Sequence, residues 1–359
     1  MKWMKQLAIV VWFLGMTFLL VACIAAPKQT LEPVKSEEII PLSKIDSPIR
    51  IGFSMDTLLE ERWLRDRDLF KEAVEALGAE IEIVAANGDD ALQISQAEAL
   101  IQSGIDLLVI VPHNAEATAA IVHKAHLAGI QVIAYDRLVK NANLDLYVSF
   151  DNEQVGEMQA KAITALVPKG NYVIIGGAIT DNNAHLLKKG VFTVLRPYIE
   201  RGDIKIIYDQ WTEDWTPMNA QANMEEALRT TNKQIDAVIA ANDATAGGAI
   251  QALAAAGLAG QVPVAGQDAD LAGVQRIVTG TQTMTVYKPI KMLTQEMAKL
   301  AVAMAKGEKV SAEQKVNNGK IEVPSVLLTP IAVNEYNLES TVIFDGFHSF
   351  KDVYEAISE

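Results

Sequence analysis

Carboxylates, amides and single cations recur at one kind of position along this chain, just after short β-branched or apolar runs. Asp136-Arg137 follows Tyr135, and Asp181-Asn182-Asn183 closes the loop after Ile175. Asn242-Asp243 comes just after Ala240, Gln267-Asp268 just after Ala265, and Tyr287-Lys288 follows Val286. Ser54-Met55-Asp56 stands in the same relation to Phe53. Asp136, Asp181, Asn183, Asn242 and Asp268 supply carboxylate and amide partners, and Arg137 and Lys288 supply donors. Trp63 lies after the first run, and Trp211 and Trp215 lie beyond the run ending at Tyr208. A mixed set of donors and acceptors beside flat indole faces suits a sugar, whose hydroxyls need both kinds of partner and whose ring faces carry apolar C–H groups.

Other chemistries fit less well. Ile51-Gly52-Phe53-Ser54-Met55-Asp56 lacks the spacing of a Gly-rich phosphate loop. Gly176-Gly177 and Gly247-Gly248 read as tight turns or close helix packing. His123 and His126 lie three apart on an expected helix without carboxylate support, so neither a metal nor another cofactor is expected. No Ser elbow or triad is present. Paired strand-end Asp residues could still serve glycoside hydrolysis, which keeps a secreted carbohydrate-active enzyme open as an alternative to a binding protein. Each candidate also has a plainer role. Asp136, Asp181 and Asn242 could be helix N-caps, Asn242 in both capacities. Trp63 and Trp215 could be core anchors, and Lys288 an exposed hinge residue. Asp268 could cap the helix near 270–278, where Asp270 is better placed, and Asp151, Asn152 and Asp243 read as hinge or cap residues.

The elements that must position these groups alternate. Apolar runs at Ile49–Phe53, Ile81–Ala85, Leu107–Val111, Gln131–Tyr135 and Tyr147–Phe150 are separated by helix-like segments such as Trp63–Leu77 and Ala91–Ser103. The pattern resumes at Tyr172–Ile175, Ile204–Tyr208, Ala237–Ala240, Val262–Ala265 and Met284–Val286. Gly78, Gly104, Gly129, Gly257 and Gly280 sit where helices should end. Alternating strand and helix predicts a parallel α/β sheet, and its occurrence before about residue 152 and again after about 170 predicts two doubly wound lobes. A helix over Pro289–Lys306 and one more run, Val323–Val333, return across the junction. Ligands bind beyond the carboxyl ends of such strands, so the polar residues should line a cleft between the lobes.

With 359 residues the chain is long enough for two domains, and its net charge of −14 argues against nucleic acid or an anionic membrane surface as partner. Lys2 and Lys5 precede an uncharged run from Leu7 to Ala26, the pattern of an export signal. Leu20-Val21-Ala22-Cys23 resembles the lipobox of bacterial lipoproteins, which makes Cys23, the single Cys, the expected lipidation site. Pro27, Pro33 and Pro41 break the stretch that follows, so residues 24–47 read as a flexible tether. A transcriptional regulator with this two-lobed build would need a DNA-reading helix-turn-helix there.

Longer motifs carry a resemblance. Glu61-Arg62-Trp63, Ala134-Tyr135-Asp136-Arg137, Ser149-Phe150-Asp151-Asn152-Glu153 and Asp181-Asn182-Asn183-Ala184 resemble the periplasmic D-xylose-binding proteins of ABC transporters. So do Asn242-Asp243-Ala244-Thr245, Gly266-Gln267-Asp268-Ala269-Asp270, the run Gly280–Pro289 and Asp345-Gly346-Phe347-His348, in the family's order over residues 48–348. The resemblance implies an α/β type I periplasmic binding protein fold, with two doubly wound parallel-sheet lobes joined by a three-stranded hinge. It divides the chain into a signal peptide (1–22), the lipidated Cys and tether (23–47), an N-terminal lobe (48–152 with 288–322), a C-terminal lobe (153–287 with 323–348) and a tail (349–359). Carried over by position, the sugar contacts would be Arg62, Trp63, Asp136, Arg137, Asp181, Asn183, Trp215, Asn242, Asp268 and Lys288. Trp63 and Trp215 would clamp the ring, leaving Trp211 a structural role. Ala178-Ile179-Thr180 and His185-Leu186-Leu187 depart from the family's residues around Asp181, which bears on selectivity. The implied function is capture of D-xylose, or of another pentose or hexose, by lobe closure outside the cytoplasm, with no catalysis. The implied partners are a monosaccharide and ABC permease subunits, with a chemoreceptor as a further candidate and no nucleic acid; the chain is expected to be a monomer that meets the membrane only through its lipid.

Overall fold

A computed structural model describes residues 47–355. The expected export signal, Cys23 and the tether up to Asp46 lie outside the described residues, as do residues 356–359.

The predicted alternation forms β1 (Arg50–Met55), α1 (Glu61–Ala76), β2 (Glu80–Ala85), α2 (Asp90–Gln102), β3 (Leu107–Ile110), α3 (Ala119–Leu127), β4 (Gln131–Tyr135) and β5 (Leu146–Phe150). It continues as α4 (Asn152–Leu166), β6 (Gly170–Ile175), α5 (Asn182–Glu200), β7 (Ile204–Gln210), α6 (Pro217–Thr230), β8 (Ala237–Ala240), α7 (Asp243–Ala255), β9 (Val264–Ala265), α8 (Leu271–Val278) and β10 (Thr285–Tyr287). Then come α9 (Ile290–Ala305), β11 (Gln314–Asn317), β12 (Glu322–Leu328) and β13 (Ile331–Val333). The five glycines expected at helix ends all adopt left-handed backbone, with φ between 74° and 84°.

The first sheet has the order β11-β12-β5-β4-β3-β1-β2 and is parallel except for β11. Its interior strands β3 and β5 are buried on both faces, which is why β3 reads as an unbroken apolar run and β5 as one interrupted only by Ser149, whereas edge strand β2 alternates in exposure. The second sheet, β7-β6-β8-β9, is also parallel, and β10 pairs antiparallel with β13 beside it. On its faces the helices approach closely. A Cβ on Gly156 would lie 2.0 Å from the Leu187 carbonyl oxygen, and one on Gly248 would lie 2.0 Å from that of Pro217. Gly248 therefore serves the close helix packing expected of it.

The chain passes between the sheets at Phe150–Asn152, at Tyr287–Ile290 and between Leu328 and Ile331. The third crossing corrects the expected boundary at 322/323. Val323–Val333 is not one strand of the C-terminal lobe: β12 adds to the first sheet beside β5, and only β13 reaches the second. Thr329-Pro330 makes the break. The segment expected as a tail is also tied down: Val353 is fully buried with Leu338, Val342 and Phe347 against Val274, Ile277 and Tyr287. Among the described residues, no helix is long and apolar enough to cross a membrane.

Candidate functional site

In each sheet the winding reverses once. The chain moves from β1 outward to β2 and then returns to β3 on the other side; it moves from β6 to β7 and then to β8. Loops leaving strands at such reversals splay apart and open a crevice at the carboxyl ends. Asp56 to Trp63 follow β1, and Asp136-Arg137 follow β4. Asp181 and Asn183 follow β6, Trp215 lies beyond β7, Asn242 follows β8, and Asp268 follows β9. Lys288 follows β10 at the second crossing. These loops meet around a narrow cavity between the lobes. Its lining contains all ten residues singled out from the sequence, together with Glu60 and Gln267.

The walls are hydrogen-bonded to one another across the lobes. Arg62, on the first turn of α1, reaches Asp136 Oδ2 through Nη2 at 3.0 Å and Asp268 Oδ1 through Nη1 at 3.3 Å, while its Nε donates to Asp66 at 3.2 Å. The surface i,i+4 pair that its spacing suggests therefore exists but is buried. Arg137 binds Asp56 at 2.5 Å through Nη1 and Asp181 at 2.8 Å through Nε. Asn183 Nδ2 donates to the carbonyl and to Oδ1 of Asp136, each at 3.1 Å. Lys288 Nζ stands 3.5 Å from Asp268 Oδ1. Both guanidiniums face the Trp63 ring, at 4.3 Å for Arg62 and 5.0 Å for Arg137, a cation–π arrangement that fixes the indole.

Charge here is set by burial against neighbours. Burial opposes the Arg62 charge, but Asp136, Asp66 and Asp268 outweigh it and hold the guanidinium well above its usual value. Burial would also raise Asp136, yet Arg62, Lys288 and Arg137 keep it below the ordinary carboxylate range. For Asp181 and Glu60 burial wins over Arg137, and both carboxyls are raised.

The plainer roles turn out to coexist with cavity placement. Asp181 Oδ1 caps α5 through the Asn183 amide at 2.8 Å, while Asp181 Oδ2 pairs with Arg137. Asn242 forms a capping box with Thr245 at the start of α7. Trp63 and Trp215 belong to the apolar cores of their respective lobes and also line the cavity. Lys288 is buried rather than exposed. Asp151 caps α4. Asp270 occupies the N-cap of α8 but makes no cap bond; the Leu271 amide is instead accepted by Glu61 of the other lobe at 2.9 Å. Trp211 lies off the cavity beneath Lys188, whose Nζ is 4.1 Å from the ring centroid. His126 bonds Asp145 at 2.8 Å, and among the described residues no His, Cys, Asp or Glu group could hold a metal ion.

Backbone geometry aims several of these side chains. Asp136, Trp215 and Asp268 have left-handed φ of 59°, 58° and 89°. Such conformations cost on the order of 1 kcal/mol or more and persist only where surroundings enforce them. At Asp136 the enforcement is visible: its N–H donates to Val148, and its carbonyl accepts from Tyr147 OH, Ser149 Oγ and Asn183. The Trp215 ring lies on Gly177, where a Cβ would sit 2.2 Å from it. That contact requires Gly177, whereas a Cβ on Gly176 would meet the Trp211 ring at 3.0 Å and the Gln210 carbonyl oxygen at 3.1 Å. Glu60 and Gln267 escaped selection from the sequence. Gln267 stood next to Asp268 at a recognised strand end, and Glu60 immediately precedes the Glu61-Arg62-Trp63 motif, so their positions were the available signal.

A family model described as periplasmic binding protein domain matches residues 51–309. The D-xylose-binding periplasmic protein of Escherichia coli (strain K12) is 52% identical over 300 residues, covering 84% of this chain and 91% of that protein. Its counterpart in Haemophilus influenzae is 53% identical over 306 residues, covering 85% and 92%. Among solved structures, a carbohydrate transporter solute-binding protein from Chloroflexus aurantiacus in complex with D-glucose superposes with a TM-score of 0.79 at 32% identity, covering 85% of this chain and 98% of that one. Shared sequence through both lobes and a shared fold across the whole body lead to one assignment: this chain belongs to the periplasmic binding protein family.

Proposed function

We propose that the chain captures D-xylose between its lobes and presents it to the permease of an ABC importer. The observation that carries this reading is the convergence of Arg62, Trp63, Asp136, Arg137, Asp181, Asn183, Trp215, Asn242, Asp268 and Lys288 on one inter-lobe cavity, in a chain more than half identical to two D-xylose-binding relatives. Three cations and three of the carboxylates give each sugar hydroxyl a charged partner, and charge-assisted hydrogen bonds are about twice as strong as neutral ones. Trp63 and Trp215 supply apolar plates for the C–H faces. Lobe closure removes water from these contacts, and the sugar shifts the population toward the closed form in proportion to its preference for it. The chain is a binding protein and not an enzyme, as its relatives are. Those relatives are periplasmic, so the chain is exported. Attachment to the outer face of a membrane through Cys23, contact with permease subunits on both lobe rims and reading of the closed form by a chemoreceptor extend the same proposal.

Calorimetric titration of the full chain with D-xylose, D-ribose, L-arabinose, D-galactose and D-glucose tests the reading. Tight one-to-one binding of xylose in preference to the others is expected. Preference for glucose, the sugar held by structural neighbours at 29% and 32% identity, would replace xylose with a hexose, and no response to any pentose would overturn the pentose reading.

A further inference from the structure

Most polar atoms around the cavity already have partners within the protein. Both Asp136 carboxylate oxygens accept, one from Asn183 and the other from Arg62. Asp181 accepts from the Asn183 amide with one oxygen and pairs with Arg137 through the other, and the Asn242 side-chain oxygen is engaged at its helix cap. Two acceptors differ. Glu60 Oε2 and Gln267 Oε1 are buried, line the cavity and receive no hydrogen bond from the protein. Such an oxygen has lost its water without gaining another donor, and that loss is uncompensated until a ligand hydroxyl supplies one. The two stand on opposite lobes, Glu60 at the N-cap of α1 and Gln267 beyond β9, so a molecule touching both is held only when the lobes meet. Each is fixed from behind by its backbone. The Glu60 carbonyl accepts from Trp63 N at 3.1 Å, and the Gln267 carbonyl accepts from Asp243 N at 2.9 Å. Neither residue belongs to the ten that the sequence singled out.

We propose that Glu60 and Gln267 are two further specificity-determining residues of the sugar site, each accepting a hydrogen bond from a different hydroxyl of the bound monosaccharide. The proposal rests on the sugar-binding reading above. A hydroxyl at each of two defined ring positions is then required, and a sugar lacking one leaves a buried acceptor unmatched. Rejection of that kind is much stronger than rejection of a missing methylene. Glu60, as a carboxylate, discriminates more sharply than the neutral Gln267.

The test is calorimetry of the full chain, wild type against Glu60→Gln and Gln267→Leu, with D-xylose and its four monodeoxy analogues. Both substitutions keep side-chain volume nearly unchanged, and thermal melting of each variant checks the fold. Xylose affinity should fall about ten- to hundredfold in Glu60→Gln and by a smaller factor in Gln267→Leu. One deoxy analogue should lose affinity for wild type but bind Glu60→Gln no worse than xylose does, and a different analogue should behave so with Gln267→Leu. Wild-type xylose affinity in both folded variants, or losses that multiply independently for every analogue, would overturn the proposal, because a merely structural role predicts no pairing with one hydroxyl. Failure of the unmodified chain to bind xylose at all is a separate outcome, which would overturn the xylose reading and this assignment with it.

Discussion

At the residue scale, the site is built from side chains that do two jobs. Trp215 closes the core of its lobe and faces the cavity from a left-handed backbone on Gly177. Its truncation separates the two roles by magnitude. Trp215→Ala should weaken xylose binding at least about tenfold through loss of the aromatic plate, while far-ultraviolet circular dichroism stays that of the folded chain; unchanged affinity would remove Trp215 from the site. The same duality explains what was legible beforehand. Strand-end Asp and Asn residues were visible because sheet reversals force polar loops together, whatever the family. Arg62 was not visible that way, because four residues ahead of Asp66 on a helix it reads as one half of a surface pair. Only packing shows that the pair is buried and that its remaining nitrogens reach Asp136 and Asp268.

At the element scale, one carboxylate ties together the ends of several elements in the second lobe. Asp243, the first residue of α7, accepts from Gln282 Nε2 at 2.6 Å, from Thr285 Oγ1 of β10 at 2.9 Å and from the Asp270 amide before α8 at 3.0 Å. Burial pushes its carboxyl up to about 7, against the pull of Arg276 and of these hydrogen bonds. The folded chain therefore binds a proton at Asp243 that the unfolded chain has already released at mildly acidic pH. The stability associated with that proton is present at low pH and is lost as pH rises from about 4 through about 7. Thermal melts between about pH 5 and 8 should show a downward slope of melting temperature that is shallower in Asp243→Asn; equal slopes would show that Asp243 stays ionised throughout. Element boundaries were largely readable from sequence, with Gln131–Tyr135 and Ala237–Ala240 matched at both ends. The last strands were not. An apolar run such as Val323–Val333 records only that its residues are buried, and the division at Thr329-Pro330 between two sheets depends on which partner strands are in reach. Strand β11, exposed and polar at the sheet edge, leaves no apolar signal at all.

At the scale of the whole molecule, the two lobes are bonded across the cleft as well as joined at the crossings. Arg137 pairs with Asp181, Arg62 with Asp268, and Asn183 with Asp136. At the rim, Ala115 N donates to the Thr180 carbonyl at 3.0 Å. This is a closed arrangement in which the residues proposed to hold the sugar also hold the lobes together, so on that proposal capture and closure are one event. A crystal structure of the full chain grown with D-xylose tests that claim most directly. The account predicts one pyranose enclosed between the Trp63 and Trp215 rings, its hydroxyls within about 3.2 Å of Arg62, Asp136, Arg137, Asn183, Asn242, Asp268 and Lys288. Xylose bound outside this cavity, or a closed cavity free of sugar at saturating xylose, would contradict it.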